Sequence, residues 1–123
     1  MRMERVLGIG GYFFRASDPE ALAAWYENNL GITSMSTEWS WEQEQGPTVF
    51  APFAADTDYF GRMEQQTMLN FRVSNLDAML AQLRGAGAVV EDEISQASYG
   101  RFGHATDPEG NRFELWEPGE FPE

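Results

Sequence analysis

The sequence contains no cysteine and no lysine, and it has a single histidine among 123 residues. The absence of cysteine excludes disulfide bonds, thiolate metal sites and cysteine nucleophiles. Twenty acidic residues against eight arginines give a formal net charge of −12, and the arginines are dispersed singly along the chain. Because such a charge repels phosphate backbones and anionic membranes, we expect neither nucleic acid nor a membrane as a partner.

Long hydrophobic runs are also lacking. No stretch reaches the length of a membrane-spanning helix, and the N-terminal stretch has no small-residue cleavage site after a long apolar run. We therefore expect a cytoplasmic protein. A length of 123 residues suits one domain with a substantial core, so a single domain over residues 1–123 is predicted.

What the chain does have is an internal repeat at an offset of 57 residues. The first copy opens with a predicted strand, Gly11–Ala16, and a predicted helix, Pro19–Asn29. The second copy opens with a strand, Met68–Val73, and a helix, Leu76–Arg84. The aligned pairs are Phe14 with Phe71, Arg15 with Arg72, Ser17 with Ser74, Ala21 with Ala78 and Ala24 with Ala81. Such a repeat indicates two copies of one supersecondary unit, with a site between them.

Both helices carry clear start and end signals. Residues 17–20, Ser-Asp-Pro-Glu, supply an N-cap oxygen, a proline in the first turn and an acid favoured by the helix dipole. Asn75 supplies the N-cap of the second helix. Gly31 is predicted to end the first helix in the left-handed conformation.

The remaining predicted strands complete a β-α-β-β-β order in each copy. They lie within Ile32–Gln45 and at Thr48–Phe53, Val89–Ile94, Arg101–Thr106 and Arg112–Glu117. Between the last two strands, the Asp-Pro-Glu-Gly-Asn turn predicts a tight hairpin with a positive φ at its glycine. Two modules, about 6–53 and 67–118, predict an α+β fold whose mixed sheet curves into an open, cupped barrel.

The two modules, the Ser-Asp-Pro-Glu helix start, the WYENNLGI helix end and the DPEGNRFELWEP terminus resemble the vicinal oxygen chelate superfamily. This group includes glyoxalases, bleomycin-resistance proteins and extradiol dioxygenases. The resemblance covers nearly the whole chain and implies the cupped fold and a homodimer. It does not choose an activity, because the superfamily contains metal-dependent lyases, epimerases, thiol transferases and dioxygenases as well as metal-free drug binders.

The resemblance also bears on metal binding. Metal-dependent members carry a histidine at the head of each first strand and a glutamate on each last strand. The matching positions here are Gly11, Met68, Thr48 and Glu114, so only the last is retained. Since catalytic zinc typically has three protein ligands, we expect a metal-poor cup and no cofactor. A weak divalent-metal site completed by water or substrate stays open.

His104 is the second candidate catalytic residue beside Glu114. If Asp107 pairs with Asn111 across the hairpin turn, His104 lies directly opposite Glu114 on the same face. A histidine oriented by a carboxylate in a partly dry cup suits general-base catalysis. The alternative is a structural pair, in which the imidazole packs in the wall of the cup and is hydrogen-bonded to the Glu114 carboxylate.

Alternation along the strands places further side chains on the face of Glu114. Large indoles beside a glycine favour a flat slot for a planar ligand. The predicted ligand-binding residues are Gly11, Phe13, Trp39, Trp41, Met68, Asn70, Tyr99 and Trp116.

Two functional hypotheses follow. The first is a protein that binds a small organic molecule in a metal-poor cup. The alternative is a metal-dependent lyase, isomerase or dioxygenase that uses Glu114 and His104. The sequence leaves open the ligand, whether the protein is an enzyme, and whether one chain or exchanged halves of two chains form the cup.

Overall fold

In the computed structural model, which describes residues 3–119, the chain forms two helices and five strands. In chain order they are α1 (Pro19–Leu30), β1 (Asn70–Arg72), α2 (Leu76–Gly85), β2 (Val89–Val90), β3 (Ser95–Ala97), β4 (Gly100–Thr106) and β5 (Arg112–Pro118). The strands form one mixed, open sheet in the order β1-β5-β4-β2, and β3 also pairs with β4. Only the β1–β5 pairing is parallel among these described strands. The predicted α+β class agrees with this arrangement.

Both helices begin where the sequence predicts, and their ends agree within one residue. Asp18 Oδ1 accepts a hydrogen bond from the Ala21 amide at 3.2 Å, and Asn75 Oδ1 accepts one from the Ala78 amide at 2.9 Å. These two N-caps lie 57 residues apart, which is the offset of the sequence repeat. Gly31 ends α1 with a φ of 72°, also as predicted. Neither helix in residues 3–119 is long and apolar enough to cross a membrane.

The second half of the chain follows the predicted order of strands, with one correction. The predicted strand Val89–Ile94 is wrong in extent, because only its first two residues form a strand, β2. The backbone from 91 to 94 is irregular, and β3 begins after it, at Ser95. Three consecutive acids, Glu91 to Glu93, occupy most of that interval. Acidic residues are disfavoured in strands, which accounts for the break.

The first half differs more. Residues 3–69 contain α1 but no strand, so the segments predicted as strands at Gly11–Ala16, within Ile32–Gln45 and at Thr48–Phe53 are not formed as strands in this structure. Their apolar side chains are largely exposed: Phe13 is 88 % exposed and Phe50 is 85 % exposed. A strand needs a neighbour to complete its backbone hydrogen bonds, and these segments have none here. The two-module arrangement and the cup remain predictions.

The core lies between α2 and one face of the sheet. Its buried residues are Leu76, Leu80, Leu83, Ala105, Phe113 and Leu115. Gly103 on β4 allows the helix to lie close, since a Cβ at this position would come within 3.2 Å of the Leu80 side chain. Because successive strand residues point to opposite faces, the neighbours of these core residues on β4 and β5 face away from α2.

The hairpin turn joining β4 and β5 forms as predicted. The Asp107 amide donates to the Asn111 carbonyl at 3.0 Å, and Gly110 has a φ of 88°. The buried Asp107 carboxylate accepts hydrogen bonds from the Glu109 and Asn111 amides and from the Tyr26 hydroxyl of α1. The turn therefore fixes the register of the two strands and ties them to the first helix.

Two other acids of this terminal segment serve the helix starts. Glu109 accepts hydrogen bonds from the amides of Ser17 and Asp18 at 2.5 and 2.9 Å, and Glu117 accepts one from the Leu76 amide at 2.8 Å. A carboxylate at a helix N-terminus stabilises it. Three of the four acids in the DPEGNRFELWEP segment thus have structural roles, and the fourth is Glu114.

Candidate functional site

Glu114 lies in the middle of β5 and has a polar neighbour on each adjacent strand. Asn70 of β1 is its partner in the parallel register, and His104 of β4 is its partner in the antiparallel register. The predicted opposition of His104 and Glu114 is confirmed. Both side chains face away from α2, and each residue is only 7 % exposed. The site is therefore a buried polar group on the sheet face opposite the core.

The carboxylate of Glu114 is surrounded by donors. Asn70 Nδ2 donates to Oε1 at 2.7 Å, and the Tyr59 hydroxyl donates to Oε2. His104 Nε2 lies 3.1 Å from Oε2 but is not aligned for a hydrogen bond with it. Burial raises the pKa of Glu114, but the contacts with His104, Tyr59 and Asn70 outweigh burial and hold it below its ordinary value. Glu114 is thus a charged acceptor in a mostly dry setting.

Tyr59 was missed by the sequence reasoning. It belongs to the irregular loop 54–61, and its ring meets His104 edge-on with centroids 5.4 Å apart and an interplanar angle of 83°. Phe53 stacks on the same ring at 5.8 Å and 19°. Burial, followed by the hydrogen bond to Glu114, raises the pKa of Tyr59, so the phenol stays protonated and donates. The sequence signal that could have pointed to Tyr59 is the presence of three aromatic residues, Phe53, Tyr59 and Phe60, in and beside this loop.

Arg112 holds this loop beside the site. Its guanidinium makes two hydrogen bonds of 2.8 Å to the Glu91 carboxylate and a third to the Tyr59 carbonyl oxygen. The guanidinium carbon also lies 5.7 Å from the centroid of the Tyr59 ring. Gln65 pairs with the backbone of Arg112 through its side-chain amide, donating at 2.7 Å and accepting at 2.9 Å. The loop at Tyr59 and the chain that follows it at Gln65 are therefore attached to the start of β5.

Trp116 lies on the same face as Glu114, two residues further along β5. It is 2 % exposed, stacks on Phe102 with centroids 6.0 Å apart, and donates from Nε1 to the Tyr99 carbonyl oxygen at 2.9 Å. The Tyr99 ring packs edge-on against Phe102. These residues form a second aromatic group in which the indole is buried rather than presented to an open slot. Their role in ligand binding stays a prediction.

The other predicted binding residues lie in the first half or at its end. Gly11, Phe13, Trp39 and Trp41 are exposed, and within the described residues none makes a hydrogen bond or ring contact with Glu114, His104 or Tyr59. Met68 lines a cavity of about 460 Å³ formed by residues 51–68, together with Phe53, Phe60 and Met63. Of the eight predicted ligand-binding residues, the structure brings Asn70 directly to Glu114.

The donor set does not fit the metal centre of the metal-dependent members. Among residues 3–119 no group of three or more histidine, cysteine, aspartate or glutamate side chains could hold a metal ion. His104 and Glu114 supply one imidazole and one carboxylate, and the carboxylate already accepts from Tyr59 and Asn70. A catalytic zinc site typically uses three protein ligands, so these two side chains fall short of such a site.

The sequence profile of the glyoxalase-like domain matches residues 12–116. The chain belongs to this glyoxalase-like family. The resemblance to the vicinal oxygen chelate superfamily is thereby confirmed. None of the curated proteins compared with the chain matches it.

Solved structures agree with the family. TnmS3, an antibiotic binding protein from Streptomyces sp. CB03234, is 26 % identical over 85 % of this chain and 89 % of its own, with a TM-score of 0.53. A glyoxalase/bleomycin resistance protein from the same organism is 26 % identical over 82 % and 92 %, with a TM-score of 0.50. A glyoxalase/bleomycin resistance protein/dioxygenase superfamily member from Sphaerobacter thermophilus DSM 20745 is 19 % identical over 83 % and 90 %, with a TM-score of 0.52, a likeness that shows the fold alone.

Proposed function

We propose that this glyoxalase-like protein binds a small planar organic molecule at Glu114 without using a metal. The observation that carries the proposal is the charged Glu114 carboxylate, which is buried on a sheet face beside aromatic rings. Such a carboxylate favours a cationic or hydrogen-bond-donating ligand, because a charge-assisted hydrogen bond is strong where water is scarce. The antibiotic binding of TnmS3 supports this class of function.

Proflavine, a planar cation with hydrogen-bond donors, is a suitable probe. We expect saturable one-to-one binding in a fluorescence titration, weakened about tenfold in Glu114→Gln, as the loss of one charge-assisted hydrogen bond predicts. Glu93→Gln removes the same charge from an exposed position and should bind like the wild type. Equal weakening in both variants would show a nonspecific effect of net charge and would overturn the proposal.

A metal-dependent lyase, isomerase or dioxygenase is the second candidate. The observation in its favour is His104 Nε2, which is buried and lacks an aligned hydrogen-bond partner. The test is elemental analysis of protein purified without chelator, with a methylglyoxal–glutathione turnover assay. We expect no stoichiometric zinc, nickel or iron and no turnover. A near one-to-one metal content that falls in His104→Ala would favour the enzyme instead.

We also propose a homodimer, and we retain the cytoplasmic location expected from the sequence. The dimer is supported by the exposed apolar side chains of the first half, including Phe13, Trp39 and Phe50. Large exposed apolar surfaces favour association, and a second copy would cover them. Light scattering at micromolar concentration should give twice the chain mass of 13.9 kDa. A mass near that of one chain would contradict the dimer.

A further inference from the structure

We propose that the Tyr59 side chain occupies the place of a ligand's own hydroxyl group, and that the Glu114 site takes neutral hydroxyaromatic molecules, which bind by replacing Tyr59. This inference rests on the proposed function, because it requires the ligand to bind at Glu114. Among planar molecules that can donate a hydrogen bond to Glu114, it makes phenols the preferred class.

The polar neighbours of the Glu114 carboxylate come from different parts of the fold. Asn70 and His104 sit on the strands that flank β5, so the sheet itself holds them beside the carboxylate. Tyr59 alone arrives from a loop, 55 residues away in sequence. The sheet therefore holds Asn70 and His104 beside the carboxylate. The third contact, from the Tyr59 hydroxyl group, comes from outside the sheet.

The surroundings of the Tyr59 ring suit a flat aromatic group. Its ring is met edge-on by His104 and is stacked on Phe53, and the Arg112 guanidinium lies 5.7 Å from its centroid. These contacts suit a flat aromatic ring, since edge-on, stacked and cation–π arrangements are the favourable ones. A neutral aromatic ring with a hydroxyl group matches all of these contacts.

The Tyr59 side chain can move away from Glu114. The residue is 37 % exposed, so its side chain already borders solvent into which it can turn. Arg112 binds the carbonyl oxygen of Tyr59, while the hydroxyl group binds Glu114. Rotation of the side chain alone therefore frees the carboxylate without detaching the main chain. A ligand hydroxyl would restore the hydrogen bond that the rotation breaks.

The test uses p-cresol, which reproduces the tyrosine side chain, and toluene, which lacks its hydroxyl group. In calorimetric titrations p-cresol should bind Tyr59→Ala at least about tenfold more tightly than the wild type, because the competing phenol is gone. Toluene should bind Tyr59→Ala more weakly than p-cresol does. Adding Glu114→Gln to Tyr59→Ala should abolish this preference. Circular dichroism melts show whether each variant retains its fold.

Tyr59→Phe provides an independent variant if Tyr59→Ala does not fold, because it keeps the ring and removes only the hydroxyl group. We expect 2-naphthol to bind Tyr59→Phe several-fold more tightly than the wild type, since no internal hydroxyl group competes for Glu114. Equal affinities in the two proteins, or equal binding of p-cresol and toluene, would overturn the inference. If proflavine still binds the wild type in a Glu114-dependent manner, such a result overturns the inference about Tyr59 but not the proposed function. If proflavine does not bind in this manner, both the inference and the proposed function fail.

Discussion

The two halves of the chain are held together in different ways. From β1 to the end of β5, every strand has a partner, and α2 covers one sheet face with leucines that are almost fully buried. Before β1, the described chain has one helix, and many of its largest apolar side chains are exposed. The second half therefore holds the main hydrophobic core. The first half contributes a helix and a loop to that unit and leaves apolar surface for another partner.

The contact between the halves is polar as well as apolar. Tyr26 of α1 donates to the buried Asp107 carboxylate at 2.7 Å, and its ring packs against Phe71 and Phe113. Tyr59 makes the corresponding contact at the site, where it donates to Glu114. In both cases a tyrosine from the first half donates to a buried acid of the β4–β5 hairpin. The hairpin acids therefore hold side chains of the first half in place, Asp107 beside α1 and Glu114 at the candidate site.

The largest expected effect concerns the core of the second half. Phe113→Ala should lower the free energy of unfolding by about 3–5 kcal/mol, the range for removing a buried aromatic side chain. The matched change in the first half, Phe50→Ala, should alter it by no more than about 0.5 kcal/mol at concentrations where the chain is monomeric. Urea denaturation measures both values. Similar losses in the two variants would contradict the difference between the halves.

The next effect concerns the link between the halves. Asp107→Ala removes an acceptor that serves Tyr26, two turn amides and the Asn111 side chain, and it should destabilise the protein by about 2–3 kcal/mol. Tyr26→Phe removes only the helix-side donor and should cost about 1 kcal/mol. Thermal melts compare the two. A larger loss in Tyr26→Phe would mean that the turn does not depend on this carboxylate.

The smallest effect concerns the ion pair that anchors the Tyr59 loop. Hydrogen bonds from Arg112 hold the pKa of Glu91 below its usual range. A folded-state pKa below the unfolded value stabilises the protein above the unfolded pKa of about 4.3, and that stability is lost as the pH falls through the folded value. The contribution should be less than about 1 kcal/mol, because the pair is partly exposed.

Denaturation at pH 7 and near pH 3 tests this ion pair. Glu91→Gln should lose stability at pH 7 and show a shallower decline towards acid than the wild type. Glu93→Gln should follow the wild-type pH dependence. A Glu91→Gln variant that declines as steeply as the wild type would show that the pair contributes nothing.

Much of the second half, together with the start of α1 in the first half, was predictable from local chemistry. Asp18 and Asn75 marked the helix starts, because a cap acts within three residues of itself. The Asp107–Asn111 turn fixed the hairpin register, and that register put His104 opposite Glu114. Each of these signals depends on a few neighbouring residues, which a sequence displays directly.

What could not be predicted depends on distant partners. Tyr59 reaches Glu114 from an irregular loop that has no periodicity to show which way its side chains point. The segments predicted as strands in the first half are rich in aromatic and β-branched residues, but a strand forms only beside another strand, and composition does not identify that neighbour. The side chain of Trp116 lies on the predicted face of the sheet. The sequence does not show that Phe102 stacks on its indole ring and covers it.

His104 is the only histidine of the chain, so its imidazole proton signals in an NMR spectrum report on the Glu114 site alone. Proflavine titrated into the wild type should shift these signals saturably, with the same dissociation constant as the fluorescence titration gives. In Glu114→Gln the shift should require about tenfold more ligand. Binding seen by fluorescence while the His104 signals stay unmoved would place the ligand elsewhere and contradict the assignment of Glu114 as its site.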